Sequence, residues 1–357
     1  MKQLRHILHA AICVVAVLLA TSCATKAPVK NNDFVFFPPP PDEPRIQFLT
    51  SFSSESDLAG HSKFNELIVG AERVNRPIWK PYGITSTKGK IYVCDTQPKN
   101  VGIVDLVKRK MSYLKPEGRG TLKMPINVAV DKDGTRYVTD TVRGQVLIYD
   151  AENRFVSDLG KAGEMKPCGI VLSENRLYVS DLSNHCVRTY AKANHELLFT
   201  IPRNTNDHKA KLFSPTNLAL DEKGNLYVSD SGGFGIQVFD SEGNHLRSVG
   251  EVGLKPGRFA LPKGIGVDHE SRLYVVDAAT SVVQMFDAEG KLLMYFGEPQ
   301  SSGRAGLYLP AGLAVDYENI GLFEKYAAPG YKVEFLIYVT NQAGSQRVSV
   351  FGFMRKG

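Results

Sequence analysis

The chain has 357 residues and a formal net charge of +6, with 43% hydrophobic and 22% charged residues. That apolar share is ordinary for a globular protein and excludes a chain too polar to bury a full core. The 15 tyrosines and 18 phenylalanines fit a β-rich fold, and length alone suggests two or three domains unless a repeat overrides it.

The first residues read as an address. Lys2 and Arg5 form a basic start, and Ile7 to Leu19 form an apolar run too short for a stable span. Leu19-Ala20-Thr21-Ser22-Cys23 then resembles the lipobox of bacterial lipoproteins. The resemblance implies that residues 1–22 are a lipoprotein signal peptide and that Cys23 becomes the lipidated, palmitate-bearing N-terminus, held by several chains rather than one. Ala24 rather than Asp follows, which in that family implies the outer membrane, facing the periplasm. The competing reading is an ordinary cleaved signal peptide with a chance cysteine. Residues 23–44 read as a lipidated tether, with Pro38-Pro39-Pro40-Pro41 as a polyproline II spacer.

Beyond the tether come an orphan strand at residues 45–52 and an expected short helix over Phe64 to Val69, and then a repeat takes over. Ile91-Tyr92-Val93-Cys94-Asp95 recurs as Arg136 to Asp140, Leu177 to Asp181, Leu226 to Asp230, Leu273 to Asp277 and Ile337 to Asn341. A proline stands ahead of each: Pro81, Pro125, Pro167, Pro215, Pro262 and Pro310, the last farther away because residues 316–336 are inserted. A strand-like unit repeating every ~40–50 residues denotes a propeller or solenoid rather than unrelated domains.

Each unit resolves into four strands. In the fourth they are residues 217–220 (A), 226–229 (B), 235–239 (C) and 245–249 (D), with tight turns at 221–224 and 240–243. Radial repetition of such units is a β-propeller. The last repeat stops at strand C, residues 347–351, and lacks a strand D. The orphan strand has the pattern of the strand D at 291–296, so it is expected to complete the sixth blade and remove an exposed sheet edge.

Pro215-Thr216-Asn217, Leu226 to Asp230 and Ile236-Gln237-Val238-Phe239-Asp240 resemble the NHL repeat, and the resemblance covers about residues 45–357. It implies an all-β, six-bladed β-propeller of four-stranded NHL-type blades, closed by an N-terminal strand, of the kind carried by bacterial lipoproteins. Asn341, where an Asp was due, and the 316–336 insertion depart from the pattern. Such a fold does not give function, because propellers host enzymes, binders and scaffolds.

Asp95, Asp140, Asp181, Asp230 and Asp277 look like a carboxylate ring, but a residue that every blade has is expected to serve every blade, by accepting backbone N–H bonds in its loop. Related amidating lyases imply a His-ligated zinc. Here His61, His185, His195, His208, His245 and His269 fall in scattered loops and turns, with no zinc motif. Gluconolactonases and paraoxonases, resembled more distantly, imply a channel calcium held by Glu, Asn and Asp. Asn127 and Asn217 are expected to face the channel mouth, but no channel Glu can be named. Cys94, Cys168 and Cys186 remain after the signal region, an odd number that allows at most one internal disulfide and reads better as buried free thiols.

Charge carries the most weight at this level. Five of the six loops that join strand D to the next strand A are net positive, and the turns on the opposite face are mostly acidic. The favoured expectation is therefore a membrane-tethered, non-catalytic scaffold of the bacterial envelope. It would bind an envelope protein or an anionic glycan or lipid through Lys80, Lys123, Lys166, Lys211, Arg258 and Lys263. No nucleic acid, catalytic residue, metal or cofactor is expected, and the propeller is expected to be monomeric. The alternative is a calcium-dependent lactonase- or lyase-like enzyme with its site at the central channel.

Overall fold

The structure is a computed structural model that describes residues 34–59, 76–204, 206–299 and 303–357. The expected signal peptide, Cys23 and the helix over Phe64 to Val69 lie outside the described residues. The propeller belongs to the compact unit Val35–Gly357.

Six antiparallel sheets, five of four strands and one of five, form the blades of a β-propeller. The inner A strands are Pro81–Thr87, Pro125–Val130, Pro167–Leu172, Pro215–Leu220, Pro262–Val267 and Pro310–Asp316, and residues of all six line a central cavity. Each blade then steps outward through B, C and D. In blade four these are Leu226–Asp230, Gly235–Phe239 and His245–Val249, with Leu226 opposite Phe239 and Ile236 opposite Val249. The A–B turn closes with Gly224 at φ +81°, a conformation that glycine adopts without steric cost. Strands A and C run from one face to the other, and B and D return. The D–A and B–C loops thus share a loop face, and the A–B and C–D turns share a turn face.

The core lies between blades. Tyr92, Ile103 and Leu114 of blade one pack with Val128, Leu147 and Tyr149 of blade two, and the pattern repeats around the ring. The recurrent B-strand tyrosines are all buried. They fill the wedge between neighbouring sheets with large apolar area, and the Tyr274 and Tyr338 hydroxyls donate to Asp268 and Asp316.

Blade six closes as the pattern required. Strand Ile46–Phe52 pairs antiparallel with Val348–Lys356, with Ile46 opposite Phe353 and Phe52 opposite Val348. The expected spacer is not wholly detached: Val35–Phe37 adds a fifth strand outside Ile46–Phe52, and Phe37 packs near Phe296 and Phe351. The 316–336 insertion forms a short helix, Ile320–Phe323, a 3-10 turn, Glu324–Tyr326, and the first part of a long B strand, Tyr331–Asn341. It also anchors closure. Gln47 donates to Tyr326 O at 2.8 Å and accepts from Ala328 N at 2.9 Å, and Asn319 bonds Gly89 N and Thr87 O in blade one.

Candidate functional site

The loop face is built from six corners that share one design. The acid ending each B strand accepts the backbone N–H groups just before that blade's proline. Asp95 holds Trp79 N at 2.6 Å and Lys80 N at 2.8 Å, and Asp230 holds Phe213 N at 2.8 Å and Ser214 N at 2.6 Å. Asp140 does this for Lys123 and Met124, Asp277 for Ala260 and Leu261, Asp181 for Lys166, and Asn341 for Tyr308. All six side chains belong to buried residues. The ring is a backbone clamp, as expected, and proline follows because no further donor needs an acceptor there.

Two residues past each clamp the chain enters the channel. The residue after proline is Tyr82, Ile126, Cys168, Thr216, Lys263 or Ala311, and the next is Gly83, Asn127, Gly169, Asn217, Gly264 or Gly312. Space explains the small residues. A Cβ on Gly169 would lie 2.3 Å from Thr216 O, and one on Gly312 would lie 2.2 Å from Tyr82 O. The hydroxyls that precede the clamp acids lock one corner to the next: Thr139 donates to Cys168 O at 2.7 Å, Ser180 to Thr216 O at 2.8 Å and Thr340 to Tyr82 O at 2.6 Å.

Three of the variable side chains, from alternate blades, meet at the mouth. The Tyr82 hydroxyl and the Cys168 sulfur lie near enough to shift each other's titration, and Lys263 Nζ lies 5.4 Å from the centre of the Tyr82 ring. Burial, and then the neighbouring Cys168, push the Tyr82 phenol above its ordinary value. Burial pushes the Cys168 thiol up to about 12, against the pull of Lys263 and Lys166. Both groups therefore stay protonated near neutrality. Burial holds the Lys263 amine below the usual lysine value. Cys168 opposes that shift and the charge of Lys80 adds to it. Of the three, Lys263 is the group moved toward a neutral base.

At the next position two asparagines bridge blades two and four: Asn127 Nδ2 donates to Asn217 Oδ1 at 3.2 Å, while Asn127 Oδ1 accepts from Val128 N at 2.9 Å. Asn217 is only 3% exposed, and its Nδ2 has no hydrogen-bond partner among the described residues. Both asparagines border a cavity of about 280 Å³ that continues toward the turn face between Ile84, Leu172, Leu220, Val267 and Val315.

Calcium does not fit this arrangement. Both asparagine carbonyl oxygens already accept from the protein, and a calcium site needs about six to eight oxygen ligands, carboxylates among them. Among the described residues no group of three or more His, Cys, Asp or Glu is placed to hold a metal. The described histidines are dispersed: His245 bonds Gln237 at 2.9 Å, His269 stacks on Tyr317 at 3.6 Å and His185 contacts Phe213 O.

The residues expected to form a basic binding face do not act as one set. Lys80, Lys123, Lys166 and Lys211 are exposed on the loop face, and Lys211 Nζ sits 5.1 Å over the Phe213 ring. Arg258 is paired with Glu251 at 2.8 Å. Lys263 is half-buried inside the mouth and belongs with Tyr82 and Cys168 rather than with a surface patch. Sequence reasoning misses this group because the position between proline and glycine follows no pattern. Cys94 and Cys168 are buried, Cys186 is partly so, and all three are free thiols.

No family model matches the chain. Among curated proteins it is similar to a gluconolactonase of Zymomonas mobilis, 26% identical over 245 residues, which covers 61% of this chain and 66% of that protein, just under two thirds of its length. Solved structures share the fold. A Bacteroides thetaiotaomicron protein of unknown function has a TM-score of 0.59 at 15% identity, covering 87% of this chain and 76% of that one. A Xanthomonas campestris gluconolactonase has a TM-score of 0.55 at 14% identity, covering 86% and 89%. A virginiamycin B lyase of Staphylococcus aureus has a TM-score of 0.51 at 14% identity, covering 76% and 83%. The likeness to the Zymomonas mobilis gluconolactonase corrects the expectation of a non-catalytic scaffold built on the basic loop face. It favours the alternative, a lactonase-like enzyme.

Proposed function

We propose that this chain opens cyclic esters, as a lactonase- or lyase-like enzyme working at the loop-face mouth of its channel. The observation that carries the reading is the half-buried Lys263 beside Tyr82 and Cys168, one residue nearer the clamped corners than the positions of the bridged Asn127 and Asn217. The likeness to a gluconolactonase supports it.

Lys263, in its neutral form, takes a proton from water, and the water oxygen bonds to the carbonyl carbon. Asn217 Nδ2, the buried donor without a partner among the described residues, is available to the oxygen that gains charge. The ring C–O bond then breaks, and the departing oxygen takes the proton back from Lys263. In an elimination the same amine removes a carbon-bound proton, and that electron pair forms the double bond as the C–O bond breaks. The protonated Tyr82, its ring against the Lys263 amine, shields that amine from bulk water. The test is pH-stat hydrolysis of glucono-δ-lactone, γ-dodecalactone and a carboxylated long-chain γ-lactone by the parent and by Lys263→Met, read on whichever the parent opens fastest. The reading expects a loss of kcat of about a hundredfold or more, as for removal of a general base. Equal rates would sink it.

The N-terminal reading belongs to the same proposal. The blades are taken as NHL-type, and Cys23 as the acylated residue that tethers the propeller to a membrane facing the periplasm, on the strength of residues 1–23. Metabolic labelling with palmitate tests this: label on the parent but not on Cys23→Ala supports it, and equal label on both rejects it.

A further inference from the structure

The rim around the mouth is divided by chemistry. On blades one, two and three the clamped corners present Lys80, Lys123 and Lys166, all exposed and in no ion pair among the described residues. The arginines Arg154, Arg188, Arg258 and Arg272, by contrast, each pair with a carboxylate. Lys80 and Lys166 lie close enough to the mouth for their charges to act on Lys263 and Cys168. On blades four, six and one the clamped corners present apolar groups: Phe213, with the exposed Lys211 over its ring, is 48% exposed, Leu309 43% and Trp79 50%. Leu254, in the loop of blade five, is 74% exposed. Because each corner is pinned through its backbone by a buried acid, this division is a fixed feature of the surface rather than the drift of flexible loops.

We propose that the substrate is an anionic amphiphile: a cyclic ester carrying a carboxylate, which the Lys80–Lys123–Lys166 arc receives, and an apolar arm, which lies on Trp79, Phe213 and Leu309. This rests on the ring-opening function inferred above and specifies its substrate class. The argument is complementarity. Three unpaired cations on one arc draw a negative group to one side of the mouth. Exposed apolar area on the other arc is stabilised when a hydrocarbon arm covers it, at roughly 25 cal/mol per Å². A neutral sugar lactone offers neither feature.

Trp79 is the chain's sole tryptophan, so its emission reports binding at the rim without any turnover. The experiment titrates the full-length protein with three probes: glucono-δ-lactone, γ-dodecalactone and a carboxylated long-chain γ-lactone below its micelle concentration. The carboxylated probe is expected to shift the emission to the blue with the lowest half-saturation, γ-dodecalactone to do so more weakly, and glucono-δ-lactone to leave it unchanged. Lys80→Gln/Lys123→Gln/Lys166→Gln is expected to weaken the carboxylated probe by about tenfold, the combined size of several weak surface charge interactions, while γ-dodecalactone keeps its affinity. The inference is overturned if glucono-δ-lactone shifts Trp79 as readily as the amphiphile, or if the triple variant binds the carboxylated probe like the parent. Turnover is read separately. Rim binding without Lys263-dependent turnover supports this inference and rejects the activity, and Lys263-dependent turnover with a silent Trp79 does the reverse.

Discussion

Lys263 Nζ lies 5.4 Å from the centre of the Tyr82 ring, a contact that joins blades five and one over the mouth of the channel. The two residues are neighbours only because the ring is closed, and the contact removes the amine from much of its water. Its chemistry at neutral pH follows from that loss of solvation.

The pH dependence has a defined sign. Activity requires the neutral amine, so kcat rises with pH through the depressed Lys263 pKa and levels off above it. Burial is the main cause of the depression, and the charge of Lys80 adds to it. Lys80→Gln removes a neighbouring positive charge, makes protonation of Lys263 easier, and moves the rising limb to higher pH. A pH–kcat profile of the two proteins checks this, and a limb that stays in place or moves to lower pH refutes it.

Chelation should change nothing. The Asn127 and Asn217 carbonyl oxygens are engaged by Val128 N and Asn127 Nδ2, which leaves no oxygen set for calcium among the described channel residues. Dialysis against EDTA is expected to leave both the lactone hydrolysis rate and the melting temperature within error. A loss of either that added calcium restores counts against the prediction.

The acid ring should be read in stability rather than in catalysis. Asp230→Ala strips the acceptor from Phe213 N and Ser214 N, and two orphaned donors cost about 3 kcal/mol. Urea denaturation measures it. Asp230→Asn keeps one acceptor, as Asn341 does naturally for Tyr308, and should cost less than Asp230→Ala.

Two glycine substitutions separate crowding from flexibility. Gly169→Ala drives a Cβ to 2.3 Å from Thr216 O and is expected to cost at least ~3 kcal/mol, because the neighbouring backbone must shift. Gly321→Ala, in the short helix Ile320–Phe323 with nothing within 4 Å of the added carbon, is expected to gain up to ~1 kcal/mol. Equal effects in thermal melts would contradict the corner geometry.

The fold is legible because a propeller blade writes its strands twice, once in alternation and once in the turn acids. The Tyr-Val-x-Asp recurrence locates strand B of blades one to five to within a residue, and the missing last strand D sends residues 46–52 to blade six, where they are found. The role of the repeated acids is legible for the same reason: what recurs in every blade serves every blade. Asn127 and Asn217 face the channel as their place after proline implies, though the bond between them could not be foreseen. The mouth is not legible. Tyr82, Cys168 and Lys263 occupy one position in three different repeats, and each alone is an unremarked residue after a proline. Only ring closure brings them together. Along the chain Lys263 therefore reads as one more surface cation. Its half-burial depends on Tyr82, which is far away in sequence.

The pairing of Ile46–Phe52 with Val348–Lys356 also dictates when this protein can be finished. Blades one to five can each form from contiguous chain, but the sixth needs its first and last strands together, and bringing such distant segments together is slow. The mouth is tied to this blade, because Thr340 donates to the Tyr82 carbonyl. Until that pairing forms, the ring that carries all six corners is open at blade six.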